Sequence, residues 1–78
     1  MLEVIESKPN PDFTIILTFD NNERRVFDLK PYLVIGVFKQ LQKPECFITV
    51  KPFFGGIAWD TGQDLSPETL YIESKPLT

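Results

Sequence analysis

The sequence predicts an α+β domain: a small, mostly antiparallel sheet of four to five strands with one or two short helices. Three observations carry that reading. Phe13, Ile15, Leu17 and Phe19 alternate with other residues, Thr14 and Thr18 among them, at the period of two that marks a half-buried strand. Short apolar runs are separated by the turn-forming clusters Pro9-Asn10-Pro11, Asp20-Asn21-Asn22-Glu23 and Gly55-Gly56. Ser66-Pro67-Glu68 has the chemistry of a helix start.

Taken in order, Leu2 to Lys8 forms a first strand, closed by prolines that cannot continue a hydrogen-bond ladder. Phe13–Phe19 forms the second. Asp20 to Glu23 turns the chain, because Asn and Asp tolerate the left-handed conformations of hairpins. The returning strand runs from Arg24 to about Leu29, with Phe27 and Leu29 inward. Val26 on the opposite face leaves its register open. Asp28-Leu29-Lys30-Pro31 leads into a short helical segment, with Asp28 accepting backbone N–H groups. Val34, Val37, Phe38 and Leu41 recur at helical spacing as one apolar stripe. Gly36 moves the start of regular helix beyond itself, and Pro44 ends it.

Phe47–Lys51 and Ile57–Asp60 then pair as strands around Pro52-Phe53-Phe54-Gly55-Gly56, with the two glycines supplying the positive φ angles of the turn. After Gly62, Ser66 caps a final helix with Pro67 at its first position. Glu68 favours the positive end of the helix dipole, and Leu65 and Leu70 stand at staple spacing across the cap.

With 78 residues there is room for one hydrophobic core, so residues 1–78 form a single domain. Seven Phe, two Tyr and one Trp compensate for the small size, since each buries on the order of 150–250 Å² when packed. A net charge of −3 repels phosphate backbones, and the basic residues are dispersed, so direct nucleic-acid binding is not expected. Arg24 and Arg25 are adjacent, but strand neighbours point to opposite faces. Cys46 is alone and fits a reducing compartment. The chain opens directly into Leu2-Glu3-Val4-Ile5-Glu6 with no secretory leader, and its longest apolar run, Tyr32–Phe38, is too short for a bilayer. The expected location is the cytoplasm, away from membranes.

The inventory for chemistry is thin. Without histidine the chain lacks the commonest general base and metal ligand. Cys46, between Glu45 and Phe47, reads as an inert core residue. Asp60, Asp64 and Glu68 form the one carboxylate cluster, but a strand end, a turn and a helix cap explain them better than a cation. No catalytic residue, metal or cofactor is expected. Phe53 and Phe54 divide between core and surface; an exposed ring there would anchor a protein partner. Trp59 alternates with Ile57 and reads as buried, its indole N–H reaching a turn carbonyl.

Residues 59–71 carry a denser pattern. Trp59, Gly62, Asp64, Leu65, Pro67, Glu68, Leu70 and Tyr71 match the closing motif Trp-x-x-Gly-x-Asp-Leu-x-Pro-Glu-x-Leu-Tyr. Upstream, Asp28-Leu29-Lys30-Pro31, Val37-Phe38, Leu41, Pro44 and Phe47 follow in matching order. In these motifs the chain resembles a bacterial family of unknown function, number 2442 among such domains, over nearly its whole length. It departs at Thr61, where the family has Asn, and at Asp60, where Pro is frequent. The resemblance implies the same fold, and because the family has no established activity it carries over no catalytic residue. Similar domains occur alone, fused to helix-turn-helix DNA-binding domains, or beside another small protein in arrangements suggestive of toxin–antitoxin pairs.

The function expected on these grounds is a non-enzymatic protein-interaction module, an antitoxin-like or regulatory partner of another small protein. Its acidic surface would steer a basic partner. The alternative is an accessory domain of a transcriptional or nucleic-acid-associated regulator; an enzyme relying on carboxylates comes last. A homo-oligomer through a sheet edge is a further expectation.

Overall fold

The computed structural model describes residues 2–77 and builds from an antiparallel meander. Strands β1 (Val4–Pro9), β2 (Thr14–Phe19) and β3 (Arg24–Asp28) follow one another in space as in sequence. The short strand β7 (Lys75–Pro76) completes this sheet by pairing with Arg25 and Val26, giving the order β1-β2-β3-β7. A second antiparallel sheet, β4-β5-β6, comprises Lys51–Phe53, Gly56–Ala58 and Asp64–Leu65. Helix α1 (Pro44–Phe47) precedes it and α2 (Pro67–Glu73) follows it. The α+β class therefore holds, with the strands divided between two small sheets.

Alternation decides which face of the first sheet is inside. Ile15, Leu17 and Phe19 are fully buried; Phe19 lies opposite Val4 and Ile15 opposite Phe27, and Leu29, just past β3, is buried with them. They join Leu41, Phe47, Ile57, Trp59 and Leu70 in one core, so both sheets and both helices contribute to it. Each fully buried side chain of this kind contributes about 1.5–3 kcal/mol relative to exposure. The register also settles the face of Val26. It lies opposite Ile16 in a transverse row, Lys8–Ile16–Val26–Lys75, on the outer face.

Several local expectations are met. Asp20-Asn21-Asn22-Glu23 makes the β2–β3 turn, with Asn22 at φ 70°. The Asp28 carboxylate accepts the Lys30 N–H at 2.9 Å and opens a 3-10 turn at Lys30–Tyr32. Ser66 caps α2 by accepting the Thr69 N–H, with Pro67 at the first helical position and Glu68 in the first turn.

Other expectations are overturned, each for a local reason. Phe13 stands just before β2 at φ 66°, held by a turn in which Asp12 accepts the Thr14 N–H; its ring still reaches the core against Phe47. Residues 34–41 do not form an amphipathic α-helix. Gly36, at φ 43°, opens a 3-10 helix over Gly36–Gln42, whose period of three puts Phe38 and Leu41 inward. Val34 and Val37 are left 72% and 71% exposed. Pro44 does not only stop that helix; it occupies the first position of α1. Residues 47–50, expected as strand, therefore finish a helix and a turn, and pairing starts at Lys51.

Candidate functional site

The β4–β5 hairpin departs furthest from expectation. Phe53 pairs with Gly56, leaving a two-residue turn of Phe54 and Gly55 at φ 46° and 82°. Two positive φ angles define the tight turn whose twist matches antiparallel strands. The turn is thus shifted one residue earlier than the glycine pair suggests. Gly56 has a different reason to be glycine: a Cβ there would sit 2.0 Å from the Leu65 carbonyl oxygen. No side chain fits where β5 passes β6 so closely.

A bulky aromatic in the left-handed region is a rare and strained choice. Phe54 is nevertheless placed there, and its ring is 91% exposed. The Phe53 ring meets it edge-on at a centroid distance of 4.5 Å and is itself largely outside the core. The hairpin tip is fixed to the first sheet by the Val4 N–H, which donates to the Gly55 carbonyl at 2.8 Å. Together these residues form an aromatic projection on an anchored turn.

Two shallow grooves share Pro67 in their walls, and the aromatic projection lines one of them. One, of about 240 Å³, lies among Phe53, Phe54, Asp64, Leu65, Ser66 and Pro67. The other, also about 240 Å³, is bounded by Leu2, Pro67, Glu68, Tyr71 and Ile72. Neither wall contains a Lys or Arg. A third groove, of about 340 Å³, lies at Pro9–Pro11, Phe13, Pro44, Phe47 and Ile48, with no residue of the hairpin in its wall.

The motif residues 59–71 do a different job. Trp59 is buried, and its indole N–H donates to the Phe47 carbonyl at 3.0 Å, tying the second sheet to α1. The Trp59 N–H donates to the Gln63 carbonyl, and Gly62, at φ 102°, turns the chain between them. Leu65 and Leu70 pack with the core. Asp64 corrects the sequence reading: it is a β6 residue paired with Ala58, not a turn residue. Asp60 lies beside Lys51 Nζ at 3.3 Å. Among the described residues no three acidic or thiol side chains converge as a metal site would require.

Tyr71 belongs to a polar clasp that sequence reasoning missed. Its hydroxyl donates to Glu23 at 3.0 Å, and its ring lies under the Arg25 guanidinium, 4.3 Å from centroid to carbon. Arg25 also donates to Glu23 at 2.7 Å, to Ser74 Oγ at 2.7 Å and to the Ser74 carbonyl at 2.8 Å. Hydrogen bonds from Asn21, Arg25 and Tyr71 hold the Glu23 carboxyl below its ordinary range, while the bond to Glu23 raises the Tyr71 hydroxyl. Partners 48 and 49 residues apart leave no local signal for such a clasp. Gln63 was also missed. It is buried, accepts from Thr61 Oγ1 and donates to the Val37 carbonyl at 2.7 Å, pinning the 3-10 segment.

The model of the family described as protein of unknown function, DUF2442, matches residues 4–76. The chain belongs to this family. No curated protein and no solved structure matches it. The motif that identifies DUF2442 in this chain is therefore largely a folding motif: Trp59, Leu65 and Leu70 go to the core, while Pro67 and Tyr71 also border the grooves. Phe54, Asp64, Glu68 and Ile72 have exposed side chains and line those grooves. No helix among the described residues is long and apolar enough to cross a membrane.

Proposed function

We propose that this DUF2442 domain is a non-enzymatic protein-interaction module of the bacterial cytoplasm, antitoxin-like or regulatory in role. The observation that carries the reading is Phe54: a large apolar side chain held in solvent by a strained turn. Strain and exposure both cost free energy in the isolated domain, and binding a partner recovers at least the second. Aromatic residues placed this way are the usual energetic centres of interfaces. The acidic surface supports a basic partner, because complementary charge accelerates encounter. The two grooves that share Pro67 support contact with protein side chains rather than enclosure of a small substrate, since each is smaller than the ~300–1,000 Å³ typical of ligand pockets.

The test is affinity co-purification from the native host with the wild-type chain and with Phe54→Gly. Glycine adopts the Phe54 backbone angles without strain, so the variant keeps its fold and loses only the ring. A stoichiometric partner captured by the wild type and lost by Phe54→Gly is the expected result. A wild-type chain that captures no such partner, and shows no self-association by light scattering, sinks the proposal.

A further inference from the structure

Resting on that interaction reading, we infer that the two grooves joined at Pro67 form one docking strip for a basic, apolar segment of a partner protein. The partner would seat one apolar side chain beside Phe54 and another beside Ile72, with Lys or Arg residues flanking them. Continuity comes from Pro67, which lines both grooves, and from the close stacking of Gly56 under Leu65 and Pro67. That stacking brings the hairpin tip alongside the start of α2. The strip therefore runs from Phe53 and Phe54 over Leu65 and Pro67 to Leu2, Tyr71 and Ile72.

Charge determines the occupant. Asp64 lines the first groove and Glu68 the second, and both are exposed. Among the described residues neither carboxylate has an ion-pair or hydrogen-bond partner from another side chain. The other carboxylates with clear duties are engaged: Glu23 with Arg25, Asp28 with Lys30, Asp60 with Lys51. Gly55, at the hairpin tip, lies against the Glu3 side chain, which adds a third negative charge at the upper end of the strip. No cation stands on either wall, so an occupant carrying Lys or Arg would meet complementary charge along the strip. Ile72, 79% exposed, shows the same incompleteness in apolar terms. It follows the fully buried Leu70 by two positions, roughly 200° around the helix, and so faces out of the core. An acidic segment would meet like charge along the whole strip, and an uncharged one would leave Asp64 and Glu68 unmatched beside an apolar ligand.

The test uses nuclear magnetic resonance of the labelled full chain with two probe peptides. One is a twelve-residue peptide of leucine and lysine at helical spacing; the other replaces every lysine with glutamate. The expected result is that the lysine peptide shifts amide signals of Leu2, Phe54, Leu65, Glu68 and Ile72, and the glutamate peptide does not. The double variant Asp64→Asn/Glu68→Gln, whose spectrum reports its own folding, should bind the lysine peptide about three- to tenfold more weakly. Shifts centred on the Pro9–Pro11 and Ile48 groove, shifts spread over the whole surface, or equal response to both peptides overturn the inference. The partner capture separates the two proposals. A native partner lost with Phe54→Gly but unaffected by Asp64→Asn/Glu68→Gln keeps the interaction reading and removes the basic-segment inference.

Discussion

Trp59 and Phe54 stand five residues apart and have opposite fates. Trp59 stands just past the end of β5, where its backbone N–H bonds the Gln63 carbonyl and its indole N–H the Phe47 carbonyl, and both hold the ring in the core. Phe54 occupies a two-residue turn, where no alternation applies and the backbone points the ring away from both sheets. Hydrophobicity alone does not decide burial at this size. Backbone conformation does, and a tight turn can hold a large apolar ring in water if the surrounding ladder fixes it.

The contrast can be broken most forcefully at Trp59. Trp59→Ala removes a buried ring and one of the two hydrogen bonds to the Phe47 carbonyl, so a loss of about 3–5 kcal/mol is expected in urea unfolding. For a core this small that loss leaves little folded protein at ambient temperature. A loss below about 1 kcal/mol would show that the ring is not a keystone of the core. Gly56→Ala comes next. Its Cβ would collide with the Leu65 carbonyl, and separating β5 from β6 costs about 1–3 kcal/mol in the same measurement.

A smaller effect is expected from pH. Burial first, and the bond to Glu73 second, push the Tyr32 hydroxyl up to about 12, and Tyr71 is also raised above its ordinary 10.0. A raised hydroxyl contributes its full stability below pH 10 and loses it as pH climbs through the raised value. Melting temperature should therefore fall between pH 10 and about 12, and Tyr32→Phe should flatten part of that fall. Glu23 has the opposite sign. Its lowered carboxyl contributes fully above the ordinary 4.5, and the contribution fades as pH drops through the folded value.

At the other end of the contrast, Phe54→Gly should change stability by at most about 1 kcal/mol, with relief of turn strain opposing the added freedom of the unfolded chain. Its melting curve should overlay that of the wild type. A severe loss would mean that Phe54 supports the fold, and would remove the reason to regard it as a binding anchor.

Legibility follows the same division. The β1-β2-β3 meander, the Asp28 turn and the Ser66 cap were readable because each depends on neighbours in sequence: alternation, turn residues, a capping side chain. The 3-10 segment was not, because Val34 and Val37, and Phe38 and Leu41, are spaced by three while all four together also fit a period of 3.6. Only the placement of Phe38 and Leu41 in the core reveals which applies. Of the candidate site, Phe53 and Phe54 were visible as apolar residues beside a turn, but the turn was placed one residue late. Gly56 resembles a turn glycine until the Leu65 carbonyl is seen above it. Asp64 and Glu68 had capping and turn explanations available, and only the walls of the grooves show them facing outward. The clasp of Glu23, Arg25, Tyr71 and Ser74 left no trace in the sequence, since nothing local links its two halves.

That clasp also has a kinetic meaning. Arg25 lies on β3, the last strand of the meander, and its hydrogen-bond partner Ser74 is synthesised 49 positions later. The three-stranded meander can assemble from adjacent segments, whereas β7 and the α2 end must close a long loop before they contribute. Until then the β3 edge is open and Arg25 lacks its Ser74 acceptors. A nascent chain that builds the meander first would carry a bare strand edge until β7 docks, and mispairing with another copy would be most accessible in that interval.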